Sequence, residues 1–159
     1  MLSPVSYALY KWLHVLGVIL LLGNVTVTAV WKVFADRSGD PRVIAFGQRL
    51  VTITDWFCTL TGIVLIMVGG FGATAVGGIP PFGAGWLRWS EGLFVLSGAI
   101  WLCILVPTQI RQARMAREFA HGGEIPEAYT RDARRWITWG VIATIPLVAA
   151  TWVMVVKPG

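Results

Sequence analysis

Four stretches of this sequence are long and apolar enough to cross a bilayer: residues 12–31, 51–71, 87–107 and 136–156. Crossing takes about 20 mostly apolar residues wound as a helix, because hydrocarbon offers a loose backbone nothing to bond with. The third stretch carries Arg88 and Glu91, both near its start. Only 13% of the chain is charged and 56% is hydrophobic, too little charge to cover a soluble surface. The expectation is one all-α domain over 1–159, an integral membrane four-helix bundle with helices at about 5–34, 46–70, 86–119 and 129–156. The first stretch lacks a basic leader and runs longer than the apolar part of a signal peptide, so it reads as a retained helix.

Charge orients the bundle. Ten of the thirteen basic residues fall between helices one and two (Lys32, Arg37, Arg42, Arg49) or between helices three and four (Arg111, Arg114, Arg117, Arg131, Arg134, Arg135). The other side carries Lys11, Arg88 and Lys157. By the positive-inside rule both termini are expected on the non-cytoplasmic side of a bacterial cytoplasmic membrane. The net charge of +5 is then a matter of orientation and contact with anionic lipid, and nucleic acid is not expected as a partner.

The segment from Gly69 to Gly85 holds seven glycines, two prolines and no charge, and reads as too broken for a helix. It could pack against a second copy of the chain or a larger membrane complex. Cys58 and Cys103 fall inside spans with no metal-ligand spacing and read as small packing residues. Phosphate loops, serine-hydrolase elbows and zinc motifs are absent.

Helix one carries a seam at three- and four-residue steps: Tyr7, Tyr10, His14, Gly17, Leu21, Asn24, Thr28 and Trp31. Helix two carries another: Gln48, Thr52, Asp55, Thr59, Gly62, Ile66 and Gly69. That spacing brings the helices of a left-handed bundle together, and in lipid small and polar residues belong on the protein-facing side. His14, Asn24 and Asp55 should therefore point inward. At 1.5 Å per residue His14 lies roughly 4–5 Å below Lys11, and Asp55 about 9 Å in from Arg49. Asn24 and Asp55 can meet, whereas His14 belongs to a separate site.

An ionisable group inside a membrane is a functional candidate by default. His14 can ligate haem iron, relay protons or simply form a hydrogen bond. Gly17, one turn further in, removes a side chain where a flat macrocycle could lie. A bond to Glu91, at similar depth on helix three, would satisfy His14 with no cofactor at all. The only other histidine, His121, is on the wrong side to serve as a second axial ligand. Asp55 can relay protons with Asn24, or pair with an arginine such as Arg135.

LHVLGVILLLGN in helix one, GWLRWSEGLFVLSGAIWLCILVPTQ in helix three and the ending MVVKP resemble a widespread bacterial family of small four-helix membrane proteins of unknown function. That family is distantly similar to HemJ-type protoporphyrinogen oxidases and to CopD domains. The HemJ-type proteins bind haem b, and the similarity would carry their first-helix histidine onto His14 and their C-terminal lysine onto Lys157. Where their helix three has a lysine after GWL, this chain has Ser90 and Glu91.

Three functions remain open at this stage. The first is a haem- or porphyrin-binding redox protein, which the resemblance would make a HemJ-like oxidoreductase, with His14 as axial ligand and Lys11, Arg88 or Lys157 near the propionates. The second is a non-catalytic subunit of a membrane complex. The third is a proton-conducting or transport component using Asp55.

Overall fold

Each apolar stretch forms one long helix, and the turns between them are built from local capping. A computed structural model describes residues 4–80 and 82–158. Met1–Ser3, Pro81 and Gly159, the ends of the expected domain and one proline of the glycine-rich segment, lie outside the described residues. The helices are α1 (Pro4–Arg37), α2 (Pro41–Val76), α3 (Gly85–Phe119) and α4 (Glu127–Val156). All four are long and apolar enough to cross a membrane, and no strand is present among the described residues. At 34, 36, 35 and 30 residues they are roughly 45–54 Å long, well beyond the ~30 Å hydrocarbon core.

The sequence places the start of helix two at about 46; α2 begins at Pro41. Asp40 supplies the cap, its carboxylate accepting from the Arg42 backbone N–H at 2.8 Å, and Pro41 fits the first helical turn. Gly39, at φ +68°, reverses the chain after α1.

A larger correction concerns the segment 69–85. Its first half is helical: α2 runs on through Val76 and ends with the Gly77 N–H bonded to Ala73 and the Ile79 N–H bonded to Thr74. Gly78 at φ +66° completes the C-cap. Glycine is a poor helix former in isolation, but here tertiary contact decides. Gly69 lies against the α1 backbone at Tyr10 and His14, and Gly72 lies under the Tyr10 ring, where a β-carbon would collide. Only residues 77–84 remain as a connection between α2 and α3.

The two seams read from the sequence meet each other. Gly17 packs on Gly62 and Ile66, and a β-carbon on Gly17 would stand 2.7 Å from the Ile66 backbone nitrogen. Further in, the Asn24 amide donates to Thr59 at 3.1 Å. α1 and α2 thus form one tight hairpin, and α3 and α4 form a second.

The hairpins join only over part of their length. At the basic end α2 packs on α3, around Ile44, Ala116, Phe119, Tyr129 and Ala133, with Val51, Leu105 and Trp136 one layer further in. Toward the termini the hairpins part. Among the described residues, Leu60–Val76 of α2 packs on α1 and on no other helix, and Gly85–Ile100 of α3 packs on α4 and on no other helix. The bundle is closed at its basic end and forked at the other.

Each of α2 and α3 contains one π-helical turn, Asp55–Thr59 and Trp101–Leu105. The second precedes Pro107, which cannot donate to the turn before it. In α4, Pro146 likewise removes a backbone donor, and nearby the Ser97 hydroxyl donates to the Ala143 carbonyl at 2.8 Å. Ser97→Ala should lower stability by about 0.6 kcal/mol and by no more than ~1.7. Unfolding by SDS titration of the protein in mild detergent measures the difference.

Candidate functional site

The fork encloses a cleft of about 590 Å³ to which all four helices contribute. Its walls are largely aliphatic and aromatic, with Val18, Leu22, Phe94 and Leu147 among them. The ionisable groups that reach it are few, Tyr7, Lys11, His14, Glu91 and Lys157, joined by the hydroxyl residues Thr74, Ser90 and Thr151. An apolar cleft with a small number of placed polar groups is the usual form of a small-molecule site.

His14 stands on α1 one helical turn from Gly17. Its Nδ1 lies 2.9 Å from the Ile66 carbonyl oxygen of α2. A carbonyl can only accept, so Nδ1 is the donor, and in the neutral ring Nε2 is the nitrogen with the free lone pair. Gly70 leaves room for this arrangement, since a β-carbon there would be 3.1 Å from Nδ1. The bond to Glu91 considered from the sequence is not formed. One carboxylate oxygen of Glu91, Oε2, is buried with no hydrogen-bond partner among the described residues.

Lys11 and Lys157 also line the cleft. Lys157 caps α4 in the left-handed conformation, φ 48°, with its ammonium 5.2 Å from the centre of the Trp86 ring. Of the six cofactor-binding candidates read from the sequence, Lys11, His14, Glu91 and Lys157 come together here. Two do not. Gly17 faces α2, so the space its missing side chain leaves is filled by Gly62 and Ile66 and is no seat for a macrocycle. Arg88 is exposed and is not part of the cleft wall.

Asn24 and Asp55 form a second, separate polar site where the hairpins diverge. The Thr59 hydroxyl donates to Asp55 Oδ1 at 2.7 Å and accepts from Asn24. The Trp101 indole N–H donates to Asp55 Oδ2 at 3.2 Å. The expected partner Arg135 is not there: Asp55 is held by neutral donors from α2 and α3. Trp101 was invisible to sequence reading because it sits in an unbroken apolar run, where an indole reads as lipid-facing or core.

Sequence reading also missed the group that ties the basic end together. Lys32, counted from the sequence only among the basic residues that orient the bundle, is 1% exposed inside it. Its ammonium bonds both Asp36 oxygens, at 2.9 and 3.1 Å, and the Tyr129 hydroxyl at 2.9 Å; Tyr129 donates in turn to Asp36 at 3.1 Å. The available signal was the four-residue spacing of Lys32 and Asp36 on a helix that continues to Arg37. Arg111 adds a two-pronged ion pair to Asp132, at 2.9 and 3.0 Å.

A family model described as a predicted integral membrane protein (DUF2269) matches residues 8–158. No curated protein and no solved structure matches this chain.

Proposed function

Because the chain belongs to the DUF2269 family of integral membrane proteins, its site must work inside a bilayer, and we propose that it binds a haem or porphyrin in the forked cleft with His14 as the axial ligand. One observation carries the reading: the Nδ1 bond to the Ile66 carbonyl fixes the ring, so that in the neutral imidazole Nε2 is the nitrogen free to bind a metal beside a large apolar cleft. Metal-binding histidines usually present one nitrogen in this way while the other is held by a carbonyl or carboxylate.

The remaining residues suit the group. A volume of about 590 Å³ suits a ligand of drug size or somewhat larger, and its wall supplies the apolar shell a macrocycle needs. Lys11 and Lys157 can pair with carboxylates at the ligand's edge. Haem bound here would supply one-electron chemistry. The protein's own part is to hold the imidazole tautomer, exclude water along the aliphatic walls and anchor the acidic edge. By the positive-inside rule the cleft opens on the non-cytoplasmic side.

The test is an absorption spectrum of protein purified in mild detergent from haem-supplemented cells, oxidised and then reduced with dithionite. A Soret band and a reduced α-band are expected, both lost in His14→Ala and regained when imidazole is added to that variant. A colourless wild-type protein that elutes as a single folded species overturns the proposal.

A further inference from the structure

Asp55 belongs to neither the cleft nor the basic-end cluster, yet the fold is built around it. It is 8% exposed and lies at the first residue of one π turn, while its partner Trp101 lies at the first residue of the other. Single π turns inside α-helices concentrate at functional sites. Here two of them, on neighbouring helices, converge on a single carboxylate.

A crevice of about 180 Å³ runs from Asp55 between α2 and α3, lined also by Thr52, Trp101, Gln109, Ala113 and Arg117. Arg117 is exposed and lies near the basic end of α3. Gln109 is 4% exposed, and its Oε1 is buried with no hydrogen-bond partner among the described residues. Buried polar atoms are ordinarily bonded, so Gln109 gives the crevice wall a polar group with an acceptor still unused.

The electrostatics around Asp55 are one-sided. From α2 it has Thr59, from α1 Asn24 through Thr59, and from α3 Trp101, all neutral. Arg117 is the charged group that shares its crevice. Thr59 is the adaptable member, because a hydroxyl can donate to a carboxylate or accept from a carboxylic acid by rotating.

We propose that Asp55 is a proton-exchange site, taking a proton onto its carboxylate and releasing it through the α2–α3 crevice to the basic side of the membrane. When the acid forms, its O–H donates to Thr59 Oγ1, which still accepts from Asn24, and the threonine proton turns to a backbone carbonyl of its own helix. Both charge states are therefore satisfied by one rotation. The assignment does not depend on what fills the cleft on the other side.

Infrared difference spectroscopy of the protein in lipid bilayers, stepped in pH, tests it. The carbonyl stretch of a titrating carboxylic acid is expected in the wild type, shifted in deuterated buffer, displaced in Asp55→Glu and lost in Asp55→Asn. Glu91 and the surface carboxylates are common to every variant and cancel in the comparison. Ala113→Phe, which fills the crevice, should keep the band and slow its deuterium exchange by roughly an order of magnitude. Spectra of wild type and Asp55→Asn that match throughout overturn the site. Exchange as fast in Ala113→Phe as in wild type overturns the route.

Discussion

Lys32→Met is expected to cost the bundle about 3 kcal/mol, the lower end of what is found when one partner of a buried ion pair is removed. The lower end applies because the Asp36 side chain is 22% exposed and keeps part of its hydration. The loss arises because Asp36 and the buried Tyr129 hydroxyl would face each other without the ammonium that bonds both. Lys32 and Asp36 stand on the first hairpin and Tyr129 on the second, so the same change loosens the end at which the hairpins are joined. In Lys32→Met combined with Asp36→Leu the uncompensated charge is gone, and most of the stability should return. SDS titration of the two single variants and the double completes the cycle. A double variant as unstable as Lys32→Met alone would show that the three groups do not act together.

Gly17→Ala is expected to destabilise the protein by about 1–3 kcal/mol, although it adds one methyl group and improves helix propensity. Its β-carbon would stand 2.7 Å from the Ile66 nitrogen, 2.8 Å from the Gly62 carbonyl oxygen and 2.9 Å from Leu65 Cβ. Two of those three atoms are backbone, which cannot swing aside, so α1 and α2 must move apart. Such a shift would also lengthen the His14–Ile66 bond that sets the imidazole in the cleft. Gly23→Ala on the same helix is the control: nothing lies within 4 Å of its β-carbon, and that substitution should be neutral or slightly stabilising. If both variants melt with the wild type, the small-residue seam is not what holds the first hairpin.

Much of the architecture was legible in the chain because a bilayer leaves so few choices. An apolar run of some 20 residues must be a helix there, whatever its neighbours do. The seam of His14, Gly17 and Asn24 could be read as well, and it meets the seam of Thr59, Gly62 and Ile66, because small and polar residues are driven to the protein side. The candidates His14, Lys11, Glu91 and Lys157 could be picked out by charge alone in an apolar setting. Residues 69–76 were misread for an equally physical reason. Helix propensity is a local quantity, and what keeps three glycines helical there is a neighbouring helix that needs them to have no side chain.

The sequence by itself determined that there are four membrane-spanning helices, which of their faces are polar, and that basic residues gather at one end, since each follows from transfer of side chains and backbone between water and lipid. Only the tertiary structure decided that the hairpins part at the other end to leave a cleft, that His14 bonds a backbone carbonyl instead of Glu91, that Gly17 serves helix contact, and that Asp55 is met by Trp101. Those outcomes depend on which helix stands opposite which over a few ångströms. Lipid is as apolar as leucine, so pairing between helices is set by shape and by individual hydrogen bonds, and neither is visible in hydropathy.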